Sequence, residues 1–355
     1  MRIEIVVKHL GQILLFNAAF LFISFLISAI NFETSAMPLG FTALMAALLG
    51  VLPMVFVKDN HELGFNEGIF VVVMGWILTC LVGAVPYVIW GGEFTFVNAW
   101  FESVSGFTTT GSTVLQNVEA LPSGLLFWRS TTHWIGGVGI ILFVLLILPE
   151  AKNSKFVLFN AEVSDLSKSN FKFRSKKILQ VLAFVYVLLT ALETGLLCWA
   201  GMSFFDAINH SFSTIATGGF STKNMSVAFY NSITIEVIIT TFMVLSGIHF
   251  GLLFATITFR KKNIFTSPVV QAYFGMMVVG TFIIAIKLYF SDMYPFWTAV
   301  RYASFQVASV GTTTGFATVD TANWPSFTQI ILIYFTIQCA MIGSTSGGMK
   351  FDRIY

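Results

Sequence analysis

The sequence predicts an all-α integral membrane protein with two N-terminal spans. After them come repeated units of span, half-helix, loop and span, three of them present. Three observations lead there. Of 355 residues, 56% are hydrophobic and 10% charged, against about 25% charged in a soluble domain. Mean hydropathy is +0.82. Long apolar runs recur along the chain, with Ser/Thr/Gly-rich stretches between some of them. The net charge of +2 is too small to suggest nucleic acid. Cys80, Cys198 and Cys339 all sit in apolar runs. Their spacing suits neither a disulfide framework nor a zinc site, so they read as small buried hydrophobes.

The elements follow in order. Arg2 and Lys8 precede an apolar run of 21 residues, Leu10 to Ile30. A signal h-region has about 7–15 residues, and no small-residue cleavage site follows here. At ~1.5 Å per residue the run spans ~30 Å, the hydrocarbon thickness, so it reads as a transmembrane helix. Seven more runs follow: Leu39–Val57, Ile69–Trp90, Leu125–Leu148, Ile178–Met202, Ile233–Thr258, Val269–Phe290 and one from Phe327. Helices are the reading because lipid offers no partner to unpaired backbone groups. With the N-terminus cytoplasmic, strict alternation leaves only Arg129, Lys223, Lys287 and Arg301 outside, which is a strong positive-inside bias. The hydrophilic segment 150–177 is then cytoplasmic. It reads either as a solvated loop or as a docking surface for a cytosolic partner or anionic lipid heads.

Three segments are too short to cross: Phe94–Thr113, Ser203–Thr222 and Pro295–Thr318. Each begins with an aromatic-rich helical pattern and ends in SGFTTTGST, STIATGGFST or GTTTGFAT. Gly111, Gly219 and Gly315 align, 108 and 96 residues apart. A repeat of this kind defines architecture before any single motif does. Non-helical backbone at membrane depth is tolerated only where it is buried or lines water. Glycine lets successive carbonyls point one way, and threonine adds oxygen without charge. Such oxygens can replace the hydration shell of a monovalent cation. The half-helix C-termini add partial negative charge. The loops carry no acid, which argues against tight divalent binding. Small residues at helix contacts are the plain alternative, and three matching positions weigh against it.

These stretches, with HWIGGVGI (His133–Ile140), Leu148-Pro149 and GSTSGGMK (Gly343–Lys350), resemble the TrkH type of the Trk/Ktr/HKT cation transporter superfamily. The resemblance covers essentially the whole chain. It implies four span–pore–span units around one pore, preceded by two extra spans. Residues 1–57 would be those spans, 58–148 pore unit 1, 149–258 pore unit 2 with its preceding loop, and 259–355 pore unit 3 ending in a gate loop. The implied function is potassium uptake through a backbone-carbonyl filter. The filter would comprise Thr108, Thr109, Thr110 and Gly111; Ala216, Thr217, Gly218 and Gly219; and Thr312, Thr313, Thr314 and Gly315. Gly111 fits the potassium-permeable members, whereas many sodium-selective plant relatives have serine there. A homodimer in membrane lipid and a cytosolic nucleotide-binding ring of the TrkA type are the implied partners. The implied location is a bacterial inner (plasma) membrane. No bound organic cofactor is expected beyond the transported potassium ion. The chain has no GxxxxGK[ST] loop, so nucleotide control would come from the partner.

Gly343, Ser344, Thr345, Ser346, Gly347, Gly348 and Lys350 interrupt the last apolar run. They read as a static kink or as a flexible loop that blocks the pore, and the resemblance implies the second. Glu102 and Asp206 lie on the half-helices, either attracting cations or accepting hydrogen bonds. Glu193 and Glu236 fall within spans, near helix ends, where an ordinary partner is expected for each. His133 and His210 lie beside the short segments, and His210 reads better as a satisfied polar group than as a pH sensor. A fourth loop would fall beyond about residue 400, one repeat further on, so the expectation is a fragment or a truncated product that cannot conduct alone. The alternative function is a non-conducting membrane subunit that only binds a partner. An intramembrane enzyme is disfavoured: the chain has no HExxH, and no paired Ser/His or carboxylates fall near the membrane centre.

Overall fold

The computed structural model describes residues 2–57, 64–147, 175–258 and 263–355. Lys58, Leu148-Pro149 and the hydrophilic segment as far as residue 174 lie outside them. The described residues form helices and no strands. The chain divides into two compact units, Met1–Lys155 and Phe156–Tyr355.

In the first unit, α1 (Ile3–Ile30) and α2 (Ala36–Phe56) form an antiparallel pair. Ser28 and Ser35 close their turn with a 2.6 Å hydroxyl contact. The outer face of α2 shows Phe41, Leu44, Leu48 and Val55, a lipid-facing surface by composition. α3 (Phe65–Trp90) packs on both helices, and Arg2 pairs with Glu67 at its first turn, 2.9 Å apart. A half-helix, α4 (Phe96–Phe107), follows and then α5 (Ser123–Ile147). The N-terminus of α5 is capped from a distance: Ser123 N and Gly124 N donate to the Glu33 carboxylate at 2.8 and 3.0 Å.

The second unit holds α6 (Ser175–Trp199), the half-helix α7 (Phe204–Ile215), α8 (Ile233–Ser246), α9 (Phe250–Ile257), α10 (Pro268–Phe290), the half-helix α11 (Phe296–Gly311) and α12 (Ser326–Gln338). Leu197, Ile235, Ile239, Met243, Phe305 and Phe316 form its core between α6, α8 and α11. Glu236 of α8 and Arg301 of α11 meet in a two-pronged ion pair, 2.7 Å at each prong.

Among the described helices, α1, α2, α3, α6 and α10 are long and apolar enough to cross a bilayer. Two expected spans differ. The run Ile233–Thr258 is not one helix: α8 and α9 meet at 107°. The reason lies at Ser246–His249. The Gly247 carbonyl accepts Met341 N at 3.0 Å, and His249 Nδ1 accepts Gly251 N at 2.9 Å, capping a new helix. The last run also stops early. α12 ends at Gln338, where Cys339 turns to φ +60°, and the chain from there to Lys350 is irregular.

Candidate functional site

The three half-helices end in one motif. Thr109 N donates to Gly106 O at 3.0 Å, and Thr110 N reaches back to Ser105 O at 2.9 Å. In the second, Thr217 N bonds Thr214 O and Gly218 N bonds Ser213 O, both at 2.9 Å. In the third, Thr313 N bonds Val310 O at 3.1 Å and Thr314 N bonds Ser309 O at 2.9 Å. This is the Schellman cap, whose left-handed residue is usually glycine. Here that residue is threonine each time: Thr109 at φ +54°, Thr217 at +55° and Thr313 at +59°. A β-branched residue in that region costs about 1–2 kcal/mol. Two residues on, Gly111, Gly219 and Gly315 are at φ +76°, +85° and +85°. The alternation turns each chain out of its helix with its carbonyls off the helical path.

Side-chain hydroxyls are used up in holding this shape. Thr108 Oγ1 donates to Val104 O at 2.7 Å and contacts Thr110 Oγ1 at 2.8 Å. Thr312 does the same with Ala308 O and Thr314, both at 2.7 Å. The second loop has Ala216 and Gly218 at those places, and there Thr217 Oγ1 donates to Ala216 O at 2.7 Å. Ser105 Oγ and Ser309 Oγ brace the outgoing chain through Ser112 O and Phe316 O, each at 2.6 Å. By contrast, no donor among the described residues bonds the carbonyl oxygens of Thr108–Gly111, Thr217–Gly219 or Thr312–Gly315.

One position in each half-helix grips the chain beyond the loop. Glu102 accepts Thr113 Oγ1 at 3.0 Å and Val114 N at 3.2 Å, and it is paired with buried Arg129 at 2.6 Å. The equivalent His210 meets Ser221 Oγ at 2.9 Å while Nδ1 meets Asp206 O at 2.8 Å. The equivalent Gln306 donates to Val319 O at 3.3 Å. Glu102 and Asp206 are thus hydrogen-bond acceptors, Asp206 taking Thr222 Oγ1 at 2.6 Å. His210 is a satisfied polar group. His133 is buried on α5, and three residues along the same helix Gly136 lies so near the Phe107 carbonyl that a Cβ would collide with it.

In the second unit the expected residues come together. A Cβ on Gly219 would strike Thr314 O, so the second and third loops touch. The Gly343–Lys350 loop docks on both. Thr345 Oγ1 donates to Ile215 O at 2.9 Å, Thr313 Oγ1 meets Ser346 Oγ at 3.3 Å, and Gly347 N donates to Thr313 Oγ1 at 3.1 Å. Lys350 Nζ bonds Ser346 O. The loop also rests on the α8–α9 break, where Phe250 N donates to Gly343 O at 3.1 Å and Gly343 abuts the His249 ring. Sequence reasoning missed this break and the serine braces. A signal for the braces was present: Ser105, Ser213 and Ser309 each precede the aligned glycine by six residues.

These features define a class: a multi-pass membrane protein with short helices that end in repeated, carbonyl-presenting loops. The chain belongs to the TrkH family, whose model, described as a cation transport protein, matches residues 39–355. It is 38% identical over 301 residues to the Trk system potassium uptake protein TrkH of Salmonella typhimurium, covering 84% of this chain and 62% of that protein. It is 30% identical over 364 residues to TrkH of Halomonas elongata, covering 100% of this chain and 74% of that one. The crystal structure of the potassium transporter TrkH from Vibrio parahaemolyticus matches with a TM-score of 0.87 and 29% identity, covering 100% of this chain and 74% of that chain. This chain therefore spans less than two thirds of the length of the Salmonella relative.

Proposed function

We propose that the chain is a potassium uptake subunit that conducts through a filter of backbone carbonyls. The observation that carries this is the set of carbonyl oxygens in Thr108–Gly111, Thr217–Gly219 and Thr312–Gly315, three loops of one conformation, that accept no bond among the described residues. Neutral oxygens of this kind suit a weakly held monovalent ion that must enter and leave. The driving force is the membrane potential, about 2.3 kcal/mol per charge at 100 mV. The filter is Thr108–Gly111, Ala216–Gly219 and Thr312–Gly315. Residues 58–148, 149–258 and 259–355 are pore units, 1–57 the preceding spans, and Gly343–Gly348 with Lys350 the gate. The docking of that loop under Thr313 and Ile215 supports the gate assignment. The chain acts as a transporter and not an enzyme, in a plasma membrane with a cytoplasmic N-terminus. Its partners are a second copy and a cytosolic nucleotide-binding ring.

Two measurements test this on the full chain. Rubidium uptake into proteoliposomes should depend on the potential and rise when Gly343–Gly348 is deleted. Unchanged flux on deletion would sink the gate. Potassium should also raise the melting temperature over an impermeant organic cation. Stabilisation without flux would support the second reading, a subunit that does not conduct by itself. Neither flux nor stabilisation would overturn the filter.

A further inference from the structure

The chain leaving the second loop turns at Lys223–Ser226, where Ser226 N donates to Lys223 O at 3.1 Å, and enters a short 3-10 turn, Ser226–Tyr230. Ser226 stands at φ +53°. That is the left-handed region, where any Cβ is crowded. Such strain persists where the surroundings fix it, and it clusters at functional sites. What fixes Ser226 is the chain leaving the third loop. Ser226 Oγ accepts Ala317 N at 3.2 Å, and Ala228 N donates to Ala317 O at 3.1 Å. Both backbone groups of Ala317 are thus held from the second repeat. The neighbouring side chains close the same joint, since Val227 and Phe316 are buried in one core cluster.

This clasp joins two anchored segments. On one side, His210 meets Ser221 Oγ, Asp206 takes Thr222 Oγ1, and Lys223 Nζ lies 3.7 Å from Asp206 and 4.7 Å from the centre of the Phe229 ring. On the other, Ala317 stands two residues past Gly315, and Phe316 O takes Ser309 Oγ at 2.6 Å. Between them the loops themselves touch, where a Cβ on Gly219 would strike Thr314 O. The clasp is not a by-product of the repeat. Seven residues after its aligned glycine the second repeat has Ser226, whereas the first has Val118 and the third Ala322. Neither of those side chains carries a hydroxyl.

We propose that Ser226 is a positioning residue for ion selectivity: with Ala228 N it clasps Ala317 and fixes the gap between the second and third loops. The proposal rests on the filter reading. A ring of carbonyls distinguishes one alkali ion from another through its spacing or its stiffness, and a clasp across two of its members acts on both.

The test pairs amide hydrogen exchange with ion preference, on the full chain. Exchange is read in lipid nanodiscs on peptides spanning residues 316–319. Preference is read as the ratio of rubidium to sodium uptake in proteoliposomes, and as the difference between melting temperatures in potassium and in sodium. Ser226→Ala and Ser226→Gly remove the hydroxyl, and glycine also relieves the strain. Ser226→Thr keeps the hydroxyl, on a residue type that this chain holds near the same φ at Thr109, Thr217 and Thr313. In the alanine and glycine variants Ala317 N should exchange about fivefold faster, the loss expected for one hydrogen bond. The preference for potassium and rubidium over sodium should fall in both, and threonine should restore it. A lowered preference in Ser226→Gly at a native melting temperature would show positioning and not stability at work. Free exchange of Ala317 N in the native protein, or equal exchange in native and Ser226→Ala, overturns the clasp whatever the ions do. Faster exchange with an unchanged preference overturns the positioning role. A native protein with neither uptake nor cation-dependent melting overturns the filter reading, and the exchange still decides the clasp.

Discussion

At Ser105–Gly111 and at Ser309–Gly315 the chain follows one path, yet the side chains bracing that path differ in chemistry. The first loop is gripped by Glu102, which is held in turn by Arg129 at 2.6 Å with both side chains almost wholly buried. The third is gripped by Gln306 through one 3.3 Å bond among the described residues. Their surroundings differ as well. Thr108 and Thr110 are exposed, while Thr312 and Thr314 are buried beside the second loop and the docked Gly343–Lys350 segment. The lesson is that the repeat preserves backbone geometry and lets its support vary. A carbonyl-presenting loop needs its carbonyls placed, and any donor or acceptor of the right reach can place them.

The largest expected effect comes from the ion pair. Arg129→Met leaves a buried carboxylate unpaired, which costs about 3–5 kcal/mol. Gln306→Ala removes one neutral hydrogen bond at the equivalent place and should cost about 1 kcal/mol. Thermal unfolding of the full chain in detergent measures both. Equal losses would show that the two clamps carry the same load and would end the comparison.

Next come the glycines. Gly219→Ala meets two obstacles, a φ of +85° and the Thr314 carbonyl. Gly315→Ala meets only the first, since nothing lies within 4 Å of the added carbon. The left-handed conformation alone costs about 1–2 kcal/mol. Gly219→Ala should exceed that by about 1–3 kcal/mol for overpacking. The same unfolding midpoints check it, and similar values would mean that the second and third loops separate at little cost.

Much of this was legible in the residues. The 108- and 96-residue spacings located all three loops, and composition gave the membrane class. The Schellman caps were not legible, because their usual sign is glycine at the left-handed position and here it is threonine. The break at Gly247 hid inside an apolar run that contains no proline. What bends the chain there is a bond to Met341, nearly a hundred residues away. Glu102 could be read either as a cation attractor or as an acceptor until Arg129 was placed beside it. Such pairings are set by packing between distant segments, which local pattern does not encode.

The smallest effect concerns the strained threonines. Thr109→Gly relieves about 1–2 kcal/mol of left-handed strain and adds about 0.5–1 kcal/mol of chain entropy cost. Thr109 has no side-chain bond to lose among the described residues, so the variant should be more stable by up to about 1 kcal/mol. Thr313→Gly gains the same relief but loses the contacts of its hydroxyl with Ser346 and Gly347. Each such bond is worth about 1 kcal/mol, so this variant should be neutral or slightly destabilised. Opposite signs in the two melting shifts would show that the third loop is held by the segment docked on it. A matching gain in both would mean that the Gly343–Lys350 loop adds nothing to the stability of the Thr313 turn, and that its contact there is passive.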